Sequence, residues 1–229
     1  MTVFFLTGTD TGIGKTVATA AIASVLQSQG RSVAVVKPAQ TGVGPHEPGD
    51  ADEVRRLAGP LDVAEGVRLP DPFAPDRAAA IAGLSLPSLG DQRDLILGAA
   101  ASHDVVLVEG SGGVAVKLGV AFTLLDVAAQ VRDAGSDVGW FVVCGAQLGT
   151  LNHSTLTVAA IRQRGFTVQG LVIGCWPEDP GPIEQYNRID LSLYTGAPVV
   201  GALPCGAGAL EPREFRRQAL SWLPVFGRE

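Results

Sequence analysis

The stretch Val3-Phe4-Phe5-Leu6-Thr7-Gly8-Thr9-Asp10-Thr11-Gly12-Ile13-Gly14-Lys15-Thr16 decides the fold. Its apolar start reads as a buried strand and its glycine-rich middle as a loop, while Lys15-Thr16 opens an alanine-rich segment with helical spacing. Gly12 and Gly14 let backbone N–H groups converge on phosphate oxygens, and a helix starting at Lys15 turns its positive dipole end on the same anion. Lys15 is placed to hold the β- and γ-phosphates of a nucleotide, and the Thr16 hydroxyl to ligate Mg²⁺. An ordinary tight turn is the competing account, but it does not call for Gly-Lys-Thr between a strand and a helix. Against the strict spacing G-x-x-x-x-G-K-[ST], the first glycine stands one place early, at Gly8, with Thr9 where it belongs.

Outward from this unit, runs that are apolar throughout recur at 3–6, 33–36, 105–108, 140–143, 171–173 and 199–203. Strands buried on both faces of a parallel sheet require such runs without alternation. Helical spacing between them predicts helices over 15–28, 51–58, 88–102, 125–134, 150–164, 183–194 and 212–222. The Pro-rich stretches 42–49, 69–75 and 176–182 read as loops. The alternation predicts an α/β chain, a single-domain P-loop NTPase fold over residues 1–229, with a mostly parallel central sheet and helices on both faces.

Composition narrows the function. With 229 residues, 46% of them hydrophobic, the chain can bury a full core. A formal net charge of −6 speaks against a nucleic-acid groove, so an anionic ligand has to be held locally. Cys144, Cys175 and Cys205 are odd in number and widely spaced, suggesting neither a disulfide framework nor a metal knuckle, and a cytoplasmic protein is expected. No apolar segment approaches the roughly 20 residues of a membrane span, and no basic segment precedes the first apolar run. His46, His103 and His153 have no metal-ligand spacing.

Ligands of an open parallel sheet sit at the carboxyl ends of its strands. There the sequence places Lys37-Pro38-Ala39-Gln40-Thr41-Gly42, Glu109-Gly110-Ser111-Gly112-Gly113 and Gln147-Leu148-Gly149-Thr150-Leu151-Asn152-His153. Glu109 ends a Walker-B-like strand and can hold Mg²⁺ or its water opposite Thr16; capping the next turn is the alternative. Asp50, in Gly49-Asp50-Ala51-Asp52-Glu53, is equally a helix N-cap or a further Mg²⁺ ligand. Lys37, kept out of helix by Pro38, points at the ligand crevice unless it snorkels to solvent. Facing the phosphates, it makes two ammonium groups around one transferring phosphoryl, more than nucleotide binding needs. A second anion follows, a carboxylate or carbamate acceptor, to which Thr11 and Thr41 supply neutral donors. Gly110-Ser111-Gly112 lacks the full nucleophile elbow, and its glycines suit close approach of backbone to a ligand.

In order, the blocks Gly8-Thr9-Asp10-Thr11-Gly12-Ile13-Gly14-Lys15-Thr16, Lys37-Pro38-Ala39-Gln40-Thr41-Gly42, Val108-Glu109-Gly110-Ser111-Gly112-Gly113 and Leu148-Gly149-Thr150-Leu151-Asn152-His153 closely resemble the dethiobiotin synthetases, over nearly the whole chain. The early glycine is typical of that family. The resemblance implies an ATP- and Mg²⁺-dependent cyclo-ligase of biotin biosynthesis, which carboxylates 7,8-diaminononanoate and closes the urea ring of dethiobiotin. It implies Thr16, Asp50 and Glu109 as metal ligands, and Lys37, Lys15 and Thr11 as the groups at the reacting atoms. ATP would lie on Gly12, Ile13, Gly14, Lys15, Thr16 and Val17, with Glu109, Gly110, Ser111 and Gly112 beside them. Thr41 would touch the substrate.

The resemblance also implies a homodimer whose diamine site is completed across the interface by Leu148, Gly149, Thr150 and Asn152. Where some relatives carry an adenine-reading Asn, this chain has Gly174, so base contacts fall to the backbone of Gly174 and Cys175 and to Ala202, Leu203 and Pro204. Looser base discrimination than in an Asn-bearing relative is expected. The alternative from another class is a nucleotide-switched partitioning ATPase, but those carry an extra lysine near the loop start and residues 8–11 contain none.

Overall fold

Successive residues of a strand point to opposite sides of its sheet. In the run from Val105 to Val108, Val105 and Leu107 accordingly enter one apolar layer, and Val106 and Val108 the other. Such a strand needs helices above and below it. The computed structural model, which describes residues 1–224, has both. The chain runs β1 (Thr2–Gly8), α1 (Lys15–Ser28), β2 (Val33–Thr41), α2 (Asp50–Ala58), β3 (Asp62–Leu69), α3 (Pro75–Ala82), α4 (Leu89–Ala100), β4 (Val105–Gly113), α5 (Leu124–Asp133), β5 (Asp137–Cys144), α6 (Thr150–Gln163), β6 (Thr167–Trp176), α7 (Pro182–Thr195), β7 (Val199–Pro204) and α8 (Pro212–Trp222).

The seven strands are all parallel, in the order β3-β2-β4-β1-β5-β6-β7. Helices α1, α2 and α8 cover one face, where Ile22, Val54 and Phe215 share a core with Leu6, Val35 and Phe141. Helices α4 to α7 cover the other, where Ile96, Val127, Ile161 and Leu191 share a core with Val3, Phe5 and Trp140. Each such buried side chain contributes roughly 1.5–3 kcal/mol, so the sheet is a rigid base for the polar segments at its carboxyl edge. The fold is the expected α/β domain. Residues 225–229 of the expected span lie outside the described residues.

Several elements differ from the sequence reading. Strand β3 is an edge strand with only Leu69 fully buried, so it has no apolar run to betray it. Its Gly66 is a packing requirement, since a Cβ would stand 2.3 Å from the Pro38 carbonyl oxygen. Helix α3 begins at Pro75, the residue that ended the predicted loop 69–75; proline suits a first helical position, where its missing N–H has no helical partner to lose. Strands β2, β4, β6 and β7 also run further than expected. Lys37, Thr41, Glu109, Gly174, Cys175 and Pro204 therefore stand within strands, not in loops beyond them. Pro38 is tolerated because β2 pairs with β4 only as far as Val36.

The cysteine expectation also needs correction. Cys175 and Cys205 are joined by a disulfide although 30 residues apart. Spacing along the chain concealed that β6 and β7 end side by side, at a Cα–Cα distance of 4.4 Å. Cys144 is free and buried, and burial pushes its thiol up to about 12.

Candidate active site

The phosphate loop is packed from both sides. A Cβ on Gly8 would come within 2.8 Å of Ile13 Cγ2 and 2.9 Å of the Asp10 carbonyl oxygen, so the early glycine forms the floor beneath the loop. Gly12 and Gly14 have φ of 70° and 94°, the left-handed region that favours glycine. On the far side the loop backs onto β6, where a Cβ on Gly174 would stand 2.0 Å from the Ile13 carbonyl oxygen. Position 174 has no room for a side chain. The first turn of α1 carries no acidic residue, which leaves its N–H groups and dipole to an anion. Lys15 is buried and donates to the Asp10 carbonyl at 3.0 Å. Burial, and then the neighbouring Lys37, hold its pKa below that of an ordinary lysine.

Lys37 is the centre of the cluster. Its ammonium is buried and reaches Asp50 Oδ2 at 2.6 Å, Glu109 Oε1 at 2.8 Å and the Gly110 carbonyl at 3.3 Å. Burial pulls its pKa down, but the carboxylates of Glu109 and Asp50 outweigh that and raise it above the usual value. Glu109, 1% exposed, also accepts from the Thr16 hydroxyl at 3.0 Å and the Thr19 hydroxyl at 2.8 Å. The snorkelling account of Lys37 and the simple capping account of Glu109 do not fit these contacts. Thr19 was missed in the sequence; its only signal is its place one helical turn after Lys15 on the buried face of α1.

The alternatives for Asp50 separate here. Gly49 is the N-cap of α2, and its N–H is accepted by Asp52 Oδ2 at 2.9 Å. Asp52 therefore does the capping, and Asp50, one residue into the helix, turns its carboxylate to Lys37. Among the described residues no group of three or more His, Cys, Asp or Glu side chains converges as a metal cage. Two carboxylates and a hydroxyl do converge, through Thr16, Glu109, Lys37 and Asp50. All are hard oxygen donors, too few for a self-sufficient site, and this is how Mg²⁺ is held when substrate phosphates complete its shell.

A cleft of about 430 Å³ brings together Thr11, Gly12, Gly14, Lys15, Thr16, Val17, Lys37, Thr41, Asp50, Glu109, Ser111 and Gly112 of the expected set. Gln40, which stands in the strand-end block 37–42 but was given no role, lines it too, as does Val43, which the sequence did not single out. A roomier hollow of about 550 Å³, beside Arg31, Arg55 and His103, opens at the opposite, amino end of the strands and has no phosphate loop. Leu148, Gly149, Thr150 and Asn152 do not line the cleft. Leu148 and Asn152 are exposed, while Thr150 is buried with its hydroxyl on the Gly145 carbonyl at 2.7 Å and its N–H on Gln147. Of the expected base contacts, Leu203 is core, leaving only its backbone, and the cleft reaches none of Gly174, Cys175, Ala202, Leu203 and Pro204.

This geometry can be set beside known proteins. A family model described as an AAA domain matches residues 2–210. The chain is 46% identical to the ATP-dependent dethiobiotin synthetase BioD of Rhodococcus jostii (strain RHA1), over 97% of this chain and 94% of the relative. It is 47% identical to the protein of the same name from Streptomyces coelicolor, over 97% and 92%. Among solved structures, the cell division ATPase MinD of Pyrococcus furiosus superposes with a TM-score of 0.56 at 17% identity, over 97% of this chain and 91% of that one. The septum site-determining protein MinD of Pyrococcus horikoshii OT3, complexed with Mg-ADP, gives the same TM-score at 16% identity, over 98% and 90%. At such identities the MinD likeness speaks for the fold alone. The relatives, matched over nearly their whole length and carrying one name, place the chain in the dethiobiotin synthetase family.

Proposed function

We propose that this chain is an ATP-dependent dethiobiotin synthetase, converting 7,8-diaminononanoate, CO₂ and ATP to dethiobiotin, ADP and phosphate. The observation that carries the reading is the buried Lys37 ammonium, set between Asp50 and Glu109 beside the phosphate-loop Lys15. Nucleotide binding alone does not need that second cation.

In the proposed sequence one substrate amine takes up CO₂ as a carbamate. A carbamate oxygen attacks the γ-phosphorus and ADP leaves; the second amine then attacks the carbonyl of the mixed anhydride, phosphate leaves, and the ring closes. Positioning and charge neutralisation are what phosphoryl transfer demands. The loop N–H groups and Lys15 hold the β- and γ-phosphates. Lys37, its ammonium set between Asp50 and Glu109 at the cleft, offers positive charge to an anionic acceptor. Thr11 and Thr41 line the same cleft and donate to the carbamate or diamine. Thr16, Asp50 and Glu109 would hold Mg²⁺, which when bound neutralises charge on the phosphate oxygens.

A homodimer completes the reading. Tyr186, Ile189 and Leu193 form an exposed apolar stripe on α7, and Leu148 and Leu156 are exposed on or beside α6, which packs against it. The segment 148–152 lies outside its own chain's cleft, and the two residues before it are tied to α7 by Asn187, whose amide donates to the Ala146 and Gln147 carbonyls at 2.7 and 3.1 Å. Across a two-fold interface, the Asn152 amide and the start of α6 would receive the neighbour's substrate carboxylate. No described helix is long and apolar enough to cross a membrane. The reading includes a cytoplasmic location, in whose reducing conditions the Cys175–Cys205 pair would stand as thiols. The test is incubation with diamine, MgATP and ¹³C-bicarbonate. Dethiobiotin carrying one ¹³C is expected, with turnover lost in Lys37→Ala. Absence of labelled product counts against the reading, and full activity of the variant removes Lys37 from it.

A further inference from the structure

We propose that Gln40 is a positioning residue for the metal site, holding Asp50 in place through the backbone at the start of α2. The proposal rests on the reading of Asp50 as a metal ligand. Gln40 is 3% exposed, and burying an amide costs about 1–3 kcal/mol unless its hydrogen bonds are made. Both ends are paired. Its Oε1 accepts the Asp50 N–H at 2.8 Å, and its Nε2 donates to the Thr41 carbonyl at 3.1 Å. On either side, then, it grips a residue that the proposed chemistry uses.

The local sequence explains why the grip comes from afar. Asp50 opens α2, so its N–H has no partner within the helix, and the N-cap Gly49 has no side chain to offer one. Gln40, reaching from β2, supplies the acceptor. Gly49 has φ −101° and ψ −172°, which any residue can adopt, so its backbone does not demand glycine. Space does: a Cβ there would lie 2.9 Å from Gln40 Oε1 and 3.0 Å from Glu65 Oε1. Arg68 pairs with Glu65 at 2.8 Å and bonds the Gly44 and Glu47 carbonyls, so of the side chains around such a Cβ it is Gln40, bordering the open cleft, that gives way. The 2.6 Å contact between Lys37 and Asp50 thus has both ends tied to one strand, β2, Lys37 directly and Asp50 through Gln40.

A purely structural cap would alter stability and leave metal affinity alone. The discriminating measurement counts free Mn²⁺ by electron paramagnetic resonance during titration of the full chain with ADP present and no turnover. Gln40→Met keeps the volume and removes both hydrogen bonds; Mn²⁺ affinity should fall roughly 10–100-fold, as when an outer-sphere partner of a metal ligand is lost. Gly49→Ala removes no hydrogen-bonding group but displaces Gln40, and should weaken Mn²⁺ in the same direction. Gln40→Glu keeps an acceptor for the Asp50 N–H and should retain affinity within about fivefold. Folded Gln40→Met and Gly49→Ala proteins that both bind Mn²⁺ within about twofold of the parent overturn the proposal, whatever their melting temperatures. Asp50→Asn separates the two layers. If that variant binds Mn²⁺ normally, the ligand reading of Asp50 fails; if it binds weakly while Gln40→Met does not, only the role of Gln40 fails.

Discussion

Replacing Lys37 by methionine removes one ammonium and keeps most of the stem, and its cost can be worked from the contacts. The Lys37 side chain is 4% exposed and that of Glu109 1%, whereas Asp50 is 37% exposed. Water can therefore screen Asp50 when the ammonium is gone, but not Glu109. Stripping one partner from a buried ion pair costs about 3–5 kcal/mol. Glu109 keeps its bonds from Thr16 and Thr19, so the lower end, about 3 kcal/mol, is expected in metal-free buffer. For a chain of this size that lowers Tm by roughly 6–12 °C. Adding Glu109→Gln removes the stranded charge, so the double variant should be clearly more stable than Lys37→Met alone, while turnover should fall about 10²–10³-fold in Lys37→Met and further in the double variant, which also lacks a proposed Mg²⁺ ligand. Urea unfolding followed by circular dichroism, in a chelator, measures the cycle. Lys37→Met within about 0.5 kcal/mol of the parent, or a double variant no more stable than the single, would refute the buried-pair account.

Three further outcomes follow from the same contacts. Gly174→Ala places a methyl against Ile13 and should destabilise by about 1–3 kcal/mol and weaken nucleotide binding by displacing the loop; unchanged affinity for a fluorescent ATP analogue would show that the loop does not depend on β6. Asp126 caps α5 through the Thr123 N–H and pairs with Arg164 at 2.6 Å, and although burial opposes it, these bonds hold its carboxyl below the usual range. A depressed folded pKa stabilises above the unfolded value and is lost as pH falls through the folded one, so Asp126→Asn should cost about 1 kcal/mol at pH 7 and progressively less below about pH 4; a gap independent of pH would contradict this. With no side chain possible at Gly174 to read a base edge, CTP should support turnover with kcat/KM within about a hundredfold of ATP, and a larger preference would place base reading elsewhere.

The phosphate loop was legible because Gly-Lys-Thr between strand and helix is chemistry confined to adjacent residues. Lys37 and Glu109 were legible from their places at the ends of apolar runs, since the sheet converts those places into one crevice. Asp50 was not legible from its own neighbourhood, because an N-cap and a first helical residue differ by one position, and the ammonium its carboxylate meets stands on another element, at Lys37 of β2. Strand β3 escaped because an edge strand buries little. The Cys175–Cys205 bridge escaped because strand adjacency is a property of topology, which spacing does not carry. Leu148 and Asn152 are exposed and outside the cleft of their own chain, so the geometry of one chain gives them no ligand.

Under the proposed mechanism the γ-phosphoryl group of ATP passes, between the loop and Lys37, to an acceptor supplied by the diamine. Phosphate release from MgATP and bicarbonate, followed with and without 7,8-diaminononanoate, tests it most directly. Release is expected only with the diamine, one phosphate for each dethiobiotin formed, with both at least about a hundredfold lower in Lys37→Ala. Steady hydrolysis at a comparable rate without the diamine would contradict it and favour a nucleotide switch.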